Sequence, residues 1–231
     1  MSRPSRLTPL TRRLPDVAEL APLMRFAPPT LGRKARLARA ADVADLRAIA
    51  KRRTPAAAFD YVDGAAKREI TARRSREVFD SVELLPRILH GVAAPDLSVE
   101  IAGARSALPF GIAPTGFTRF MHAEGEDAGA AAAAAAGIPF SLSTMGTRSI
   151  EETAAASGDG DRWFQLYLWR DRDRARDLIE RAAASGYGAL LVTVDTPVAG
   201  QRLRDVRNGM TIPPRLNAKT CLLYTSPSPR D

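Results

Sequence analysis

The chain has 231 residues, about one and a half average domains or one larger α/β domain. A composition of 45% hydrophobic and 26% charged residues excludes a mostly disordered chain, and no apolar run is long enough for a signal peptide or a membrane span. A single cysteine, Cys221, and two histidines, His90 and His122, exclude a disulfide framework, a cysteine-based metal cluster and a multi-histidine metal site. This cysteine usage is read as that of the reducing cytosol.

The formal net charge of +8 is uneven. Residues 1–55 carry a strong basic excess, and residues 56–231 are near neutral. The basic leader is read as a solvated tail. A nucleic-acid or membrane-surface contact is the alternative, but the leader lacks the interleaved aromatic residues that stacking on single strands requires.

Residues 1–35 are rich in Pro and Arg (Pro4, Pro9, Pro15, Pro22, Pro28, Pro29). They read as an extended arm with one short helix near Val17–Met24. Residues 41–53 predict a helix with Asp42 as N-cap and with Val43, Leu46, Ile49 and Ala50 on one face. An apolar, aromatic stretch ends at Gly64, and residues 65–79 predict a charged helix. From Pro109 onward, strand-like apolar runs begin near Phe110, Ile138, Trp163 and Ala189. Each gap between them holds a helical stretch. The first stops at Gly137. The second opens with a capping box, Ser149 with Glu152 three residues on. The third runs from Asp171 to about Ser185 and stops at Gly186. Strand, helix, strand at a period of roughly 25 residues marks βαβ units and a parallel sheet. About four such units fit, which suits a small doubly wound sheet or part of a (β/α)8 barrel.

The strand ends read IAPTG, LSTMGT, FQLYLW and VTVDTP. Small and polar residues follow each apolar run, at the carboxyl ends where parallel sheets bind ligands. No dinucleotide fingerprint, P-loop, nucleophile elbow, zincin helix or paired C-x-x-C is present.

Eight stretches then share one resemblance: FDYVDGAA (59–66), LLPRIL (84–89), PFGIAPTGF (109–117), HAEGE (122–126), LSTMGTRSIEE (142–152), WFQLYLWRDR (163–172), LLVTVDTPVAGQRLRDVRNG (190–209) and IPPRL (212–216). In this order the chain resembles the FMN-dependent α-hydroxy acid dehydrogenase/oxidase family, with its L-lactate dehydrogenase-like members nearest in flavour. The resemblance implies an α/β fold: an incomplete (β/α)8 TIM barrel of about four βα units, preceded by an N-terminal helical segment. It also implies FMN as cofactor, a small L-2-hydroxy acid as substrate, and hydride transfer from its α-carbon to the flavin. The electron acceptor would be quinone or oxygen, the complete protein a homo-oligomer, and its place the cytoplasm, at most peripheral to the inner membrane.

Residue by residue, the resemblance lays Pro114, Thr115 and Gly116 against the flavin. It gives Ser143, Gln165 and Thr193 to the flavin's hydrogen-bonding edge, and Tyr61, Tyr167 and Arg202 to the substrate. A guanidinium with phenol donors suits a carboxylate geometrically. Asp195 would orient the catalytic histidine and stabilise its imidazolium. That histidine belongs to later barrel strands, and His90 and His122 match non-catalytic positions. Residues 1–40 are thus read as a basic arm and 41–220 as the front part of the FMN domain. Residues 221–231, CLLYTSPSPRD, resemble a translated sequencing adapter and are read as non-biological. On this reading the chain is a truncated, inactive fragment. The alternatives are another FMN barrel of the isopentenyl diphosphate isomerase type, or a basic surface-binding protein.

Overall fold

The computed structural model describes residues 32–89, 91, 93–195 and 197–210. The expected arm and its short helix, His90, the IPPRL stretch and the 221–231 tail with Cys221 lie outside the described residues, apart from Gly32–Ala40 of the arm. The chain divides between Ile49 and Ala50 into two units. The first holds α1 (Arg33–Ala38) and the opening turns of α2 (Val43–Arg53). Asp42 caps α2 as predicted, its Oδ1 accepting from the Asp45 amide at 2.8 Å. The predicted apolar face of α2 is not buried: Val43 is 79% exposed.

The second unit opens with α3 (Ala56–Asp63), which ends at Gly64 and buries Ala58 and Phe59. The charged helix expected over 65–79 begins later, as α4 (Ile70–Asp80). Residues 65–69 form a turn instead, with Lys67 and Glu69 in the left-handed region. A short antiparallel hairpin follows, β1 (Val99–Ile101) with β2 (Ala104–Ser106). Its two turn residues, Ala102 and Gly103, have φ of 50° and 82°, as a tight two-residue hairpin requires.

The core is a parallel sheet in sequence order, β3 (Phe140–Ser143), β4 (Arg162–Tyr167) and β5 (Ala189–Thr193). Three helices alternate with these strands: α5 (Glu126–Ala136), α6 (Ile150–Ser157) and α7 (Arg172–Ala184). The predicted stops and starts hold. Gly137 ends α5 with φ 65°. Ser149 and Glu152 form the reciprocal capping box, and Asp171 caps α7. Arg181 of α7 grips Glu151 of α6 through two bonds of 2.8 and 2.9 Å, and the guanidinium holds the Glu151 carboxyl down to about 2.

The strand expected at Phe110 is a correction. It contributes one parallel bridge, Ile112 to Phe140, built from the Ile112 amide donating to Pro139 O and the Ser141 amide donating to Ile112 O. Pro109, Gly111 and Pro114 bracket it, and a proline supplies no ladder donor.

Side chains alternate across the sheet. Phe140, Leu142, Phe164 and Leu166 face the helices and form the apolar core with Ala130, Ala133, Ile150 and Ala182. Ser143, Gln165, Tyr167 and Thr193 share the opposite face, at the carboxyl ends of the strands. Among the described residues no strand pairs with the outer edge of β5, where Leu190 and Val192 remain more than two-fifths exposed. The last described helix is α8 (Leu203–Asn208).

Candidate active site

Two polar groups carry most of the expected site residues. The first is a chain of hydrogen bonds across three strands. Ser143 Oγ donates to Gln165 Oε1 at 3.1 Å, and Gln165 Nε2 donates to Thr193 Oγ1 at 2.7 Å. The Thr144 amide also donates to Gln165 Oε1 at 3.1 Å, so the carboxamide is held in one orientation. Ser143 and Gln165 are buried, which makes each of these bonds costly to lose.

The second group joins α3 to the residues that open α8. Arg202, the N-cap residue of α8, sits with its guanidinium carbon 5.1 Å from the centre of the Tyr61 ring. It donates from Nη2 to the Tyr61 carbonyl and from Nε to Asp205 Oδ2 at 2.6 Å. Asp205 is buried, and its Oδ1 has no hydrogen-bond partner among the described residues. The Tyr61 ring packs edge-on against Phe117 and Phe120, at 6.4 and 6.2 Å. Burial pushes the Tyr61 phenol above its ordinary value against the pull of Arg202, and Asp205 and Tyr167 push it further up.

Tyr167 belongs with the first group: its amide donates to Thr144 Oγ1 at 3.1 Å and it lies opposite Thr193 in the sheet. The loop after Ile112 reaches both groups, through the Tyr61–Phe117 packing and through Met145. The Phe117 amide donates to Met145 O at 2.9 Å, and a Cβ on Gly116 would fall 2.9 Å from the Met145 Cβ. Gly116 is therefore a close-approach glycine toward Met145. Of the other predicted residues, Pro114 is half-buried on this loop and Thr115 is exposed, with its hydroxyl turned back to Ala113 O at 3.5 Å. Asp195 is exposed just past β5. The structure thus gathers Ser143, Gln165, Thr193 and Tyr167 in one group and Tyr61 and Arg202 in the other, and leaves Thr115 and Asp195 outside both.

Sequence reasoning missed Thr144, Asp205 and Phe117. The Arg202–Asp205 spacing of three on a helix was the available signal for one of them. It also missed Glu126. This glutamate is 2% exposed at the start of α5, and accepts from the Thr147 amide at 2.6 Å and the Thr147 hydroxyl at 2.7 Å. It ties down the loop that follows Ser143. Burial works to raise its carboxyl, but the hydrogen bonds outweigh it and hold the group below the ordinary value.

The donor set fits the polar edge of a flavin ring. Ser143, Gln165 and Thr193 line up hydroxyl, carboxamide and hydroxyl on one face, and Gln165 Nε2 spends one of its two hydrogens on Thr193, leaving the other for an acceptor. The Arg202 guanidinium and the Tyr61 and Tyr167 phenols are of the chemistry that suits a small carboxylate.

A parallel sheet with its apolar face on the helices and polar side chains at its strand ends is the arrangement of part of a TIM-type barrel. A match to the family described as FMN-dependent dehydrogenase spans residues 50–230. The chain is 56% identical over 214 residues to the protein named "Putative L-lactate dehydrogenase" of Mycobacterium tuberculosis (strain ATCC 25618 / H37Rv), covering 92% of this chain and 52% of that one. It is 40% identical over 178 residues to glycolate oxidase 1 of Zea mays, covering 77% and 48%. A mandelate oxidase structure with (S)-2-phenylpropionate superposes with a TM-score of 0.71 at 39% identity, covering 74% of this chain and 51% of that one. The chain belongs to the FMN-dependent dehydrogenase family, and its fold is an incomplete (β/α)8 barrel. The chain spans about half the length of the curated relatives it matches. No helix among the described residues is long and apolar enough to cross a membrane.

Proposed function

We propose that the chain forms the front half of an FMN-dependent oxidoreductase that converts a small L-2-hydroxy acid, lactate-like in size, to the 2-oxo acid. The observation that carries this reading is the Arg202 guanidinium stacked on Tyr61, whose ring packs on Phe117 of the loop bonded to Met145 past β3, together with the Ser143–Gln165–Thr193 chain. FMN, when bound, supplies the two-electron oxidant. Ser143, Gln165 and Thr193 hold its polar edge, with Pro114, Thr115 and Gly116 as the adjoining backbone. Arg202 receives the substrate carboxylate, and Tyr61 and Tyr167 flank it. Asp205 keeps the guanidinium fork in one plane through Nε. The exposed Asp195 is assigned to orient the proton-accepting histidine, which the remaining barrel strands would supply. The described histidine, His122, lies in the turn before α5, with Nδ1 3.9 Å from Glu124 Oε2.

The solved mandelate oxidases support the substrate assignment. They include a variant of a tyrosine with (S)-mandelic acid and a variant of an arginine with 2-hydroxy-phenylacetamide. Those two positions are separated by the same number of residues as Tyr167 and Arg202. An electron acceptor of quinone or oxygen type, a homo-oligomeric state, a cytoplasmic place and a peripheral membrane contact belong to the same proposal.

The exposed edge and apolar face of β5 predict that the 231-residue chain by itself aggregates or holds negligible FMN. The gene product carried through its complete open reading frame is expected to purify with a flavin spectrum and to oxidise a short L-2-hydroxy acid. A panel of lactate, glycolate, mandelate and isopentenyl diphosphate checks this. A colourless complete product, or turnover of the diphosphate alone, defeats the reading. A soluble, yellow and active 231-residue chain defeats the truncation.

A further inference from the structure

Helix α8 is six residues long, too short to persist on its own. Its apolar anchorage is partial, with Leu203 half-buried and Val206 67% exposed, and Asp205 is its buried residue. Polar contacts add to this, and they converge on Arg204. Its Nη1 lies 2.9 Å from Asp63 Oδ2 and 3.3 Å from Asp60 Oδ1, and its Nη2 lies 2.6 Å from Glu69 Oε2. Asn208 adds a bond to Asp60 Oδ2 at 2.8 Å. The side chains are 7–30% exposed, so the cluster is shielded more than ordinary surface pairs, which contribute little.

The backbone is shaped around this cluster. Glu69 stands at φ 58° and Lys67 at φ 50°, a conformation that is unfavourable for a side-chain-bearing residue and persists only where its surroundings impose it. A Cβ on Gly64 would meet the Arg204 Cδ at 3.1 Å, so the arginine stem lies against bare backbone. The Lys67 amide donates to Gln201 O at 2.6 Å, pinning the residue just before Arg202.

We propose that Arg204 is a positioning residue: by gathering Asp60, Asp63 and Glu69 onto one guanidinium, it holds Arg202 over Tyr61 in the arrangement that receives a carboxylate. The substrate part of this inference rests on the function proposed above. Arg204 itself touches neither Tyr61 nor Arg202 in the bonds described. It acts by fixing α8 against α3, one element carrying each half of the carboxylate site.

The test uses the complete gene product with Arg204→Leu, Arg204→Lys and, as a charge-matched control, the exposed Arg207→Leu. Kinetics with the hydroxy acid are read beside backbone hydrogen exchange. Arg204→Leu is expected to raise KM about tenfold with kcat within about twofold and flavin retained, because a misplaced carboxylate receptor weakens ground-state and transition-state binding alike. Exchange should accelerate over residues 201–208 and stay slow in β3–β5. Arg204→Lys should recover part of the KM, and Arg207→Leu should match the wild type. Wild-type exchange over 201–208 in Arg204→Leu overturns the proposal, as does an equal KM rise in Arg207→Leu. A wild-type product lacking flavin or hydroxy-acid turnover overturns the functional reading, and the exchange arm still decides whether Arg204 fixes α8.

Discussion

Arg202→Leu in the complete protein is expected to lower kcat/KM for the hydroxy acid by about a hundredfold or more. Removing one partner of a desolvated, hydrogen-bonded charge pair costs about 2–5 kcal/mol, and each 1.4 kcal/mol is a factor of ten. The carboxylate is present in ground and transition states alike, so the loss should fall mainly on KM. Arg202→Lys restores the charge but not the planar fork that donates to Asp205 and the Tyr61 carbonyl together, and should recover a minority of the loss. One side effect needs control. Arg202→Leu leaves Asp205, buried and with Oδ1 already unpartnered among the described residues, without its arginine, which is destabilising. Arg202→Leu with Asp205→Asn removes that burden. Steady-state kinetics of both variants, with thermal melts beside them, make the check. A single variant that melts like wild type and keeps wild-type KM would remove Arg202 from the substrate site.

Glu126→Ala should cost about 3 kcal/mol of stability. The buried carboxylate satisfies the Thr147 amide and hydroxyl at once, and each buried donor left without a partner costs about 1–3 kcal/mol. The negative charge also sits in the first turn of α5, where the helix dipole favours it. The sign with pH follows from the lowered carboxyl. A group whose folded pKa lies below its unfolded value stabilises the fold above the ordinary carboxylate range, and that contribution disappears as pH falls through the folded value. Denaturant melts of the complete protein should therefore show Glu126→Ala and wild type converging toward acid pH and furthest apart near neutrality. A gap that does not shrink on acidification would show that packing rather than charge carries the effect. Because Glu126 fixes the loop after Ser143, flavin retention should fall together with stability.

Sequence reading found the features whose physics is local. A capping box, an aspartate N-cap and a left-handed glycine stop are each set within a few residues, and Ser149–Glu152, Asp42 and Gly137 all stand where they were expected. The strands at Ile138, Trp163 and Ala189 were legible as apolar runs closed by small and polar residues, but not which face Gln165 and Tyr167 take. What escaped was decided by partners distant in sequence. Phe110–Gly111–Ile112 has strand composition, but proline on both sides leaves it one bridge. The β1–β2 hairpin turns on Ala102–Gly103 rather than on an Asn-Gly pair, so its signal is weak. The apolar side of α2 looked like a core face, but Val43 finds no layer to pack on among the described residues. Arg202 and Arg204 look alike in a basic run. One stacks on Tyr61 and the other collects three carboxylates, and only their separation from residues 60–69 in the chain, bridged by folding, tells them apart.

The account stands most directly on a crystal structure of the complete gene product grown with FMN and the 2-oxo acid product. It predicts the flavin ring's polar edge against Ser143, Gln165 and Thr193, and the acid's carboxylate on Arg202 between Tyr61 and Tyr167. A flavin bound away from the carboxyl ends of β3–β5, or a carboxylate held by groups other than Arg202, would contradict it.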